Sequence, residues 1–229
     1  VIAIGGICLG VTALITVIAV MTGLQRDLQE KSLGNTPHVY VFEPGQSFRM
    51  DNYEPLLEPV REVPGVVAAQ PFLMTQVAVV REGVEYAQAG ILYGADPDND
   101  GPRLTIIDER LATGEYSRRL AEKMNVLPGD VVTVISGENI KTGPLGDLQP
   151  AIRQFEVTGL FTTGMYDYDS QNLYAPMAAV QDLLDLPEST VSGVAVNVTD
   201  PWEATAIGAA IDDALGFPYY TQSWVDLNG

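Results

Sequence analysis

The chain has 229 residues, of which 46% are hydrophobic, and a formal net charge of -18. With 30 Asp and Glu against 12 Lys and Arg, it lacks the basic clusters that bind nucleic acids, because phosphates are held by Lys and Arg. A single cysteine and a single histidine exclude a disulfide framework and a multi-histidine metal site. The apolar content predicts one large or two small folded domains.

The N-terminal segment is strongly apolar, and its first 24 residues contain no charged side chain. As a helix it would be roughly 36 Å long at about 1.5 Å per residue, enough to cross a bilayer core of about 30 Å. A cleaved signal peptide normally has a shorter apolar run, a basic start and a small-residue cleavage site. We therefore expect a transmembrane helix and a polar helical stalk over residues 1–34.

The next segments alternate between strand and helix patterns. Residues 38–43 (HVYVFE) predict a strand, and residues 53–63 predict a helix interrupted by proline. Residues 76–81 and 84–93 are apolar runs joined by a Glu-Gly turn, which predicts an antiparallel hairpin. Residues 115–124 have helical spacing.

The centre of the chain contains a stretch without periodicity. Residues 131–136 (VVTVIS) and 155–161 predict strands, whereas the stretch between them, residues 137–150, is rich in Gly and Pro. A long loop between paired strands is more often functional than accidental. We expect residues 137–150 to form such a loop.

The last part of the chain returns to alternating elements. Residues 175–184 and 201–215 have helical spacing, and Asp200 followed by Pro201 is a typical helix start. Residues 190–198 predict a strand between the two helices. Because strand–helix units stand at both ends of the soluble part and a hairpin-rich stretch lies between them, the simplest fold class is α+β with an inserted subdomain.

Two acidic motifs favour structural roles. The run from Asp96 to Gly101 imitates the start of a calcium loop, but the twelfth position is Ile107 instead of the bidentate Glu, which favours a surface turn. Asp167 and Asp169 could form a carboxylate pair, yet alternate residues of an extended chain point to opposite sides. We expect a structural turn there and no metal.

The remaining chemically distinctive residues also favour packing. His38 predicts a structural or surface role, and Trp202 and Trp224 predict packing more than partner anchoring. No segment fits the phosphate-binding pattern GxxxxGK[ST], so the chain is not expected to hydrolyse ATP. We expect no catalytic residue and no cofactor.

The segment Leu9–Val39 (LGVTALITVIAVMTGLQRDLQEKSLGNTPHV) resembles the first transmembrane helix and stalk of the lipoprotein-releasing LolC/LolE permease family, a branch of the MacB-like and FtsX-like permeases. The likeness covers nearly the whole chain. It continues through Pro64-Gly65-Val66, Pro71-Phe72, Gly94-Ala95-Asp96-Pro97, Leu120-Ala121, Gly129-Asp130, Gly159-Leu160-Phe161, and GMYDYDS with Tyr174.

This resemblance implies a subdomain plan. After the transmembrane helix and stalk of residues 1–34, a porter-like periplasmic subdomain is expected over residues 35–75 and 190–229. A β-rich Sabre-like subdomain is expected as an insertion over residues 76–189. Further membrane helices would follow Gly229.

The resemblance also implies a function. The chain would belong to a non-catalytic permease subunit of an ABC transporter in the bacterial inner membrane, with its soluble domain in the periplasm. That permease would extract lipoproteins and pass them to a LolA-like periplasmic carrier. Its partners would be a LolD-like ATPase subunit and a second permease subunit, identical or different. An FtsX-like signalling or scaffold permease and a MacB-like efflux permease are the alternatives.

By the same resemblance, residues 140–153 are a hook-like loop that captures the carrier. The expected carrier-binding residues are Pro144, Leu145, Gly146, Leu148 and Pro150. Prolines pre-order a protruding loop and lower the entropy lost on docking. An ordinary exposed connection is the alternative, since Gly and Pro also mark loops that bind nothing.

A lipoprotein-binding site is implied at the lower part of the stalk. There Met21 and Leu24 would help to line a cavity for acyl chains between two permease subunits. Flexible Met suits irregular acyl chains, but packing against lipid is equally compatible with these residues.

Overall fold

The computed structural model describes residues 11–23, 36–45, 48–81, 83, 86–95, 118–142, 147–162 and 165–228. Residues 11–23 are helical and form α1. No helix in these ranges is both long enough and apolar enough to cross a membrane. Residues 1–10 and 24–34 of the expected membrane helix and stalk lie outside the described residues, as does the predicted acidic turn at residues 96–101.

The described residues beyond α1 form short helices and ten strands. The strands are β1 (Val39–Phe42), β2 (Met50–Asp51), β3 (Val66–Arg81), β4 (Gln88–Ala95), β5 (Val131–Thr142), β6 (Leu148–Glu156), β7 (Asn172–Pro176), β8 (Thr190–Val191), β9 (Gly193–Val198) and β10 (Tyr220–Ser223). The helices are α2 (Glu54–Arg61), α3 (Arg118–Met124), α4 (Tyr166–Gln171), α5 (Met177–Leu184), α6 (Ala204–Leu215) and α7 (Trp224–Asn228), with a 3-10 turn at Pro201–Glu203. The fold is mixed α/β.

One long strand, β3, connects the whole sheet. The sheet has the order β10-β1-β9-β3-β4-β7, with β5 paired to β3 and β6 paired to β5. The first part of β3 pairs with β9 up to Phe72, and its second part pairs with β4 from Leu73 and with β5 from Val77. Residues 72–73 of β3 are therefore the point where the pairing partners change.

The first half of the fold, formed by β1, β2, the first part of β3, β8, β9, α2 and α6, has its own apolar core. Val39 and Val41 of β1 and Val194 and Val196 of β9 alternate along their strands and are fully buried. Helices α2 and α6 cover this side of the sheet, with Ile211 of α6 also fully buried. Burying one such side chain contributes about 1.5–3 kcal/mol, so this layer holds the half together.

The second half has a separate core. It is formed by the second part of β3, by β4 and β5, and by helices α3 and α5. Leu73, Val79, Val134, Val180 and Leu184 are its most deeply buried members. The two cores lie at the two ends of β3.

Several sequence predictions are confirmed. The strand predicted at residues 38–43 is β1, and the predicted hairpin is the antiparallel β3–β4 pair. The predicted helix start at Asp200 is also confirmed, because the carboxylate of Asp200 accepts a hydrogen bond of 2.9 Å from the backbone N–H of Trp202.

Two local predictions are wrong. Strand β5 extends to Thr142 and β6 begins at Leu148, so only the middle of the predicted loop at residues 137–150 is left without strand. This part of the hairpin is exposed on both faces, and it therefore shows no apolar alternation in the sequence. Residues 166–171 form helix α4 instead of a turn, with Asp169 and Ser170 buried.

We predict that Gly193→Ala destabilises the protein by about 1–3 kcal/mol, the usual cost of overpacking. A Cβ at this position would lie 2.4 Å from the carbonyl oxygen of Val41 and 3.1 Å from the ring of Phe72. The matched control is Gly137→Ala, where no atom lies within 4 Å of the added Cβ. Urea unfolding followed by circular dichroism would measure both, and equal stabilities would contradict the close approach of β9 to β1.

Candidate functional site

The β5–β6 hairpin exposes a row of apolar side chains. In the described part of the sheet β6 is an edge strand, because its partner is β5. The first three residues of β6 are exposed, with Leu148 71% exposed. From Ala151 on the burial alternates, so that Ile152 is 59% exposed whereas Arg153 and Phe155 are half-buried. Ile140 of β5 is also exposed. Exposed apolar side chains on an edge strand are typical of a surface that meets another molecule.

The structure describes two of the five expected carrier-binding residues. Leu148 and Pro150 are both exposed and lie at the start of β6. Pro144, Leu145 and Gly146 lie outside the described residues. The structure therefore brings two of the five expected residues together on one exposed strand.

Ion pairs attach this hairpin to helix α5. The ammonium nitrogen of Lys141 lies 2.8 Å from a carboxylate oxygen of Asp185, and Arg153 Nη1 lies 2.8 Å from a carboxylate oxygen of Asp182. The Arg153 guanidinium also lies 5.8 Å from the ring centre of Phe155. Exposed pairs of this kind contribute only about 0–1 kcal/mol each, so they add little to the stability of the domain.

An apolar cavity of about 200 Å³ lies within the second core. It is bordered by α3, by strands β3 to β7 and by residues 157–161, and its lining includes Leu92, Met124 and Phe161. Apart from Glu156, Thr158, Asn172 and Tyr174, the side chains of this lining are apolar. Within the part of the chain that the structure describes, no three His, Cys, Asp or Glu side chains are placed to bind a metal ion.

Half-buried tyrosines lie on the sheet in both halves of the fold. Ring centroids lie 5.3 Å apart for Tyr40 and Phe72 and 5.2 Å apart for Tyr93 and Tyr174. Burial, with a smaller contribution from Tyr168, raises the pKa of Tyr93 to about 12. Burial likewise raises the pKa of Tyr40, with Tyr93 contributing. Both hydroxyls therefore stay neutral over the physiological range, in an environment poor in water.

The other polar candidates have structural surroundings. His38 is buried, and its Nδ1 accepts a hydrogen bond of 3.1 Å from the backbone N–H of Val198. Trp202 and Trp224 pack edge to face with ring centroids 5.2 Å apart. Asp169 is fully buried in α4, whereas the Asp167 side chain lies outside the described residues, so the possible carboxylate pair stays untested.

The expected acyl-chain site lies at the end of the described part of α1. Met21 is exposed, as are all other residues of α1, whereas Leu24 lies outside the described residues. Because this helix is apolar all round, water is an unfavourable surrounding for every one of its faces.

These features define a class: a two-core α/β domain preceded by an exposed apolar helix and carrying an exposed apolar hairpin. Residues 1–214 match the model of the MacB-like periplasmic core domain, and the chain belongs to that family.

The sequence of this chain is also similar to those of named proteins. The lipoprotein-releasing system transmembrane protein LolC of Neisseria meningitidis serogroup B is 30% identical over 99% of this chain and 56% of its own length. LolC of Xylella fastidiosa strain Temecula1 is 27% identical over 97% of this chain and 54% of its length. The chain thus spans about half the length of the relatives it matches. The resemblance to the LolC/LolE family that the sequence predicted is confirmed.

One solved structure matches most of this chain. The periplasmic region of MacB from Actinobacillus actinomycetemcomitans is 14% identical in sequence, and the match covers 86% of this chain and 92% of that one with a TM-score of 0.49.

We predict that stability falls as the pH rises from about 10 to 12, and that Tyr93→Phe reduces this fall. Unfolded tyrosine loses its proton near pH 10.0, whereas folded Tyr93 keeps its proton up to about pH 12, so the unfolded state is favoured in this window. The contribution of Tyr93 at the upper limit is about 2–3 kcal/mol. Urea unfolding at pH 8 and pH 11 would measure the fall, to which Tyr93 contributes about 1–1.5 kcal/mol by pH 11.

Tyr86→Phe is the matched control, because Tyr86 is exposed. If Tyr93→Phe and Tyr86→Phe lost the same stability between the two pH values, burial of the Tyr93 hydroxyl would be contradicted.

Proposed function

We propose that this chain is the first membrane helix and periplasmic domain of a permease subunit that extracts lipoproteins from the bacterial inner membrane and hands them to a periplasmic carrier. The observation that carries the proposal is the 30% identity to a lipoprotein-releasing LolC protein, which extends over 99% of this chain. The match therefore includes both halves of the fold.

The proposed domain plan has a porter-like subdomain at residues 35–75 and 190–229 and an inserted Sabre-like subdomain at residues 76–189. The division of the core supports it. The first core takes its buried residues from Val39 to Ala69 and again from Val191 onward, and the second takes them from positions between these segments. A chain that leaves one core, builds a second and returns is the pattern of an inserted subdomain.

The proposed membrane helix is supported by α1 and its flanking sequence. An isolated helix that is apolar on every face is stable only inside lipid or between other helices. The uncharged run of 24 residues around it has the length of a membrane span. In this arrangement Met21 and Leu24 would contact lipoprotein acyl chains.

The proposed carrier site is the β5–β6 hairpin with its hook-like connection at residues 140–153. Exposed Leu148 and Ile152 would be buried when a carrier with an apolar binding surface docks, and each such burial is worth about 1.5–3 kcal/mol. The paired strands hold this surface in one shape before docking, which lowers the entropy cost of binding.

Other subunits would supply the remaining functions of the transporter. ATP would be hydrolysed by a separate LolD-like subunit, and a second permease subunit would complete the cavity. The role of this chain is then mechanical: closure of the transporter changes the contacts of the helix and the hairpin, with no covalent step at its own residues.

The deciding test places a photo-crosslinking residue at Leu148 in the full-length protein in its own cells, with adducts identified by mass spectrometry. Val67 is the matched control, because it is 52% exposed on β3 in the other half of the fold. We expect a LolA-like carrier at position 148 and none at position 67. A cell-wall hydrolase at position 148 would instead establish a signalling role, and an efflux adaptor would establish efflux.

We further predict that Leu148→Asp weakens carrier binding about tenfold to a hundredfold, since it removes one buried apolar contact. Folding stability should not change, because the side chain is exposed in the free domain. Val67→Asp is the control for added charge. Binding measured by titration calorimetry that is the same for both variants would exclude the hairpin as the docking surface.

A further inference from the structure

A chain of hydrogen bonds surrounds Glu138 at the base of the hairpin. The Thr75 hydroxyl donates to Glu138 Oε1 at 2.9 Å, and the Glu138 backbone N–H donates to the Ser136 hydroxyl at 3.1 Å. Thr75 and Ser136 are 3.2 Å apart and buried. Because a carboxylate only accepts, the Thr75 proton goes to Glu138, and Ser136 must donate to Thr75. The Glu138 carboxylate is thus held by Thr75 of β3, and the Glu138 backbone is held by Ser136 of its own strand β5.

Arg49 reaches this carboxylate from the first half of the fold. Its Nη2 pairs with Glu138 Oε2, while its Nη1 donates to the Ser192 hydroxyl at 2.6 Å and to the Met74 carbonyl at 3.2 Å. The Arg49 side chain is only 13% exposed, whereas that of Glu138 is 46% exposed. The planar, branched guanidinium binds these three acceptors with N–H groups that point in different fixed directions.

This cluster lies where side-chain contacts can set the direction of the hairpin. Met74 and Thr75 follow the point at which β3 changes partners from β9 to β4. Glu138 lies inside the register shift of the β5–β6 pair, between Ser136 and Lys141, where regular strand pairing is interrupted. Backbone pairing holds the hairpin less firmly there, so side-chain contacts decide its direction.

The exposed hairpin pairs cannot replace this contact. Lys141 and Asp185 are both mostly exposed, and such pairs exchange readily with water. A mostly buried guanidinium that loses its carboxylate keeps its charge and has no solvent to satisfy it. Loss of Glu138 should therefore change the local arrangement around Arg49, not merely remove one contact.

We propose that Arg49 is a positioning residue that, through Glu138, fixes the direction of the β5–β6 hairpin relative to the first half of the fold. The hairpin then moves as one body with the half that is connected to α1. The consequence for carrier capture rests on the proposed function, whereas the orientation of the hairpin does not.

The test measures a distance across the two halves in the full-length protein in lipid nanodiscs. Spin labels are attached to cysteines at Gln149, exposed on β6 beyond the register shift, and at Asp213, exposed on α6, after Cys8→Ser removes the native thiol. Double electron–electron resonance gives the distribution of label-to-label distances. We expect Arg49→Gln and Glu138→Gln each to widen or shift that distribution. The double variant should add nothing further, because both act on one contact.

Lys141→Gln is the control, since it removes a hairpin ion pair that is exposed. It should leave the distribution unchanged. The proposal is overturned if Glu138→Gln, which changes a half-exposed side chain and should fold, leaves the distances as in the unsubstituted protein. It is also overturned if Lys141→Gln widens them equally.

A second readout separates this proposal from the proposed function. Crosslinking at Leu148 is repeated in the Arg49→Gln and Lys141→Gln backgrounds, and we expect carrier capture to fall only in the first. If the unsubstituted protein captured no carrier, the proposed function would fail, while the distance measurement would still decide the role of Arg49.

Discussion

Strand β3 is the constraint on which the rest of the structure depends. It runs for 16 residues, and its two parts pair with different strands. Each part supplies one edge of a separate core, with Ala69 in the first and Leu73 in the second. Because one hydrogen-bonded strand belongs to both halves, the halves cannot separate without breaking its pairing.

The β5–β6 hairpin extends the sheet from the second part of β3 and is exposed on its outer side. Its inner residues close the second core, while its outer residues have no partner layer among the described residues. Apolar side chains in such a place do not stabilise the isolated domain, and an exposed edge strand promotes association. Leu148 and Ile152 therefore add little to the isolated fold, and the proposed carrier would bury them.

The site could be predicted only in part from the sequence. Gly and Pro at residues 137–150 indicated a special segment, and the family resemblance indicated its role. The strand character of Leu148 and Pro150 was missed, because both faces of this stretch are exposed and alternation is absent. Arg49 was missed entirely, since nothing near it in sequence distinguishes it from a surface arginine.

The sequence by itself determined the class of fold, the apolar N-terminal segment, the capped helix at Asp200 and the family, because local periodicity, capping and residue order are properties of neighbouring positions. Tertiary structure alone decided which distant groups meet. The contact of Arg49 with Glu138 and Ser192 joins segments separated by 89 and 143 positions. Such contacts depend on β3 pairing with β9 in its first part and with β4 and β5 in its second part. No local sequence pattern predicts this change of partner.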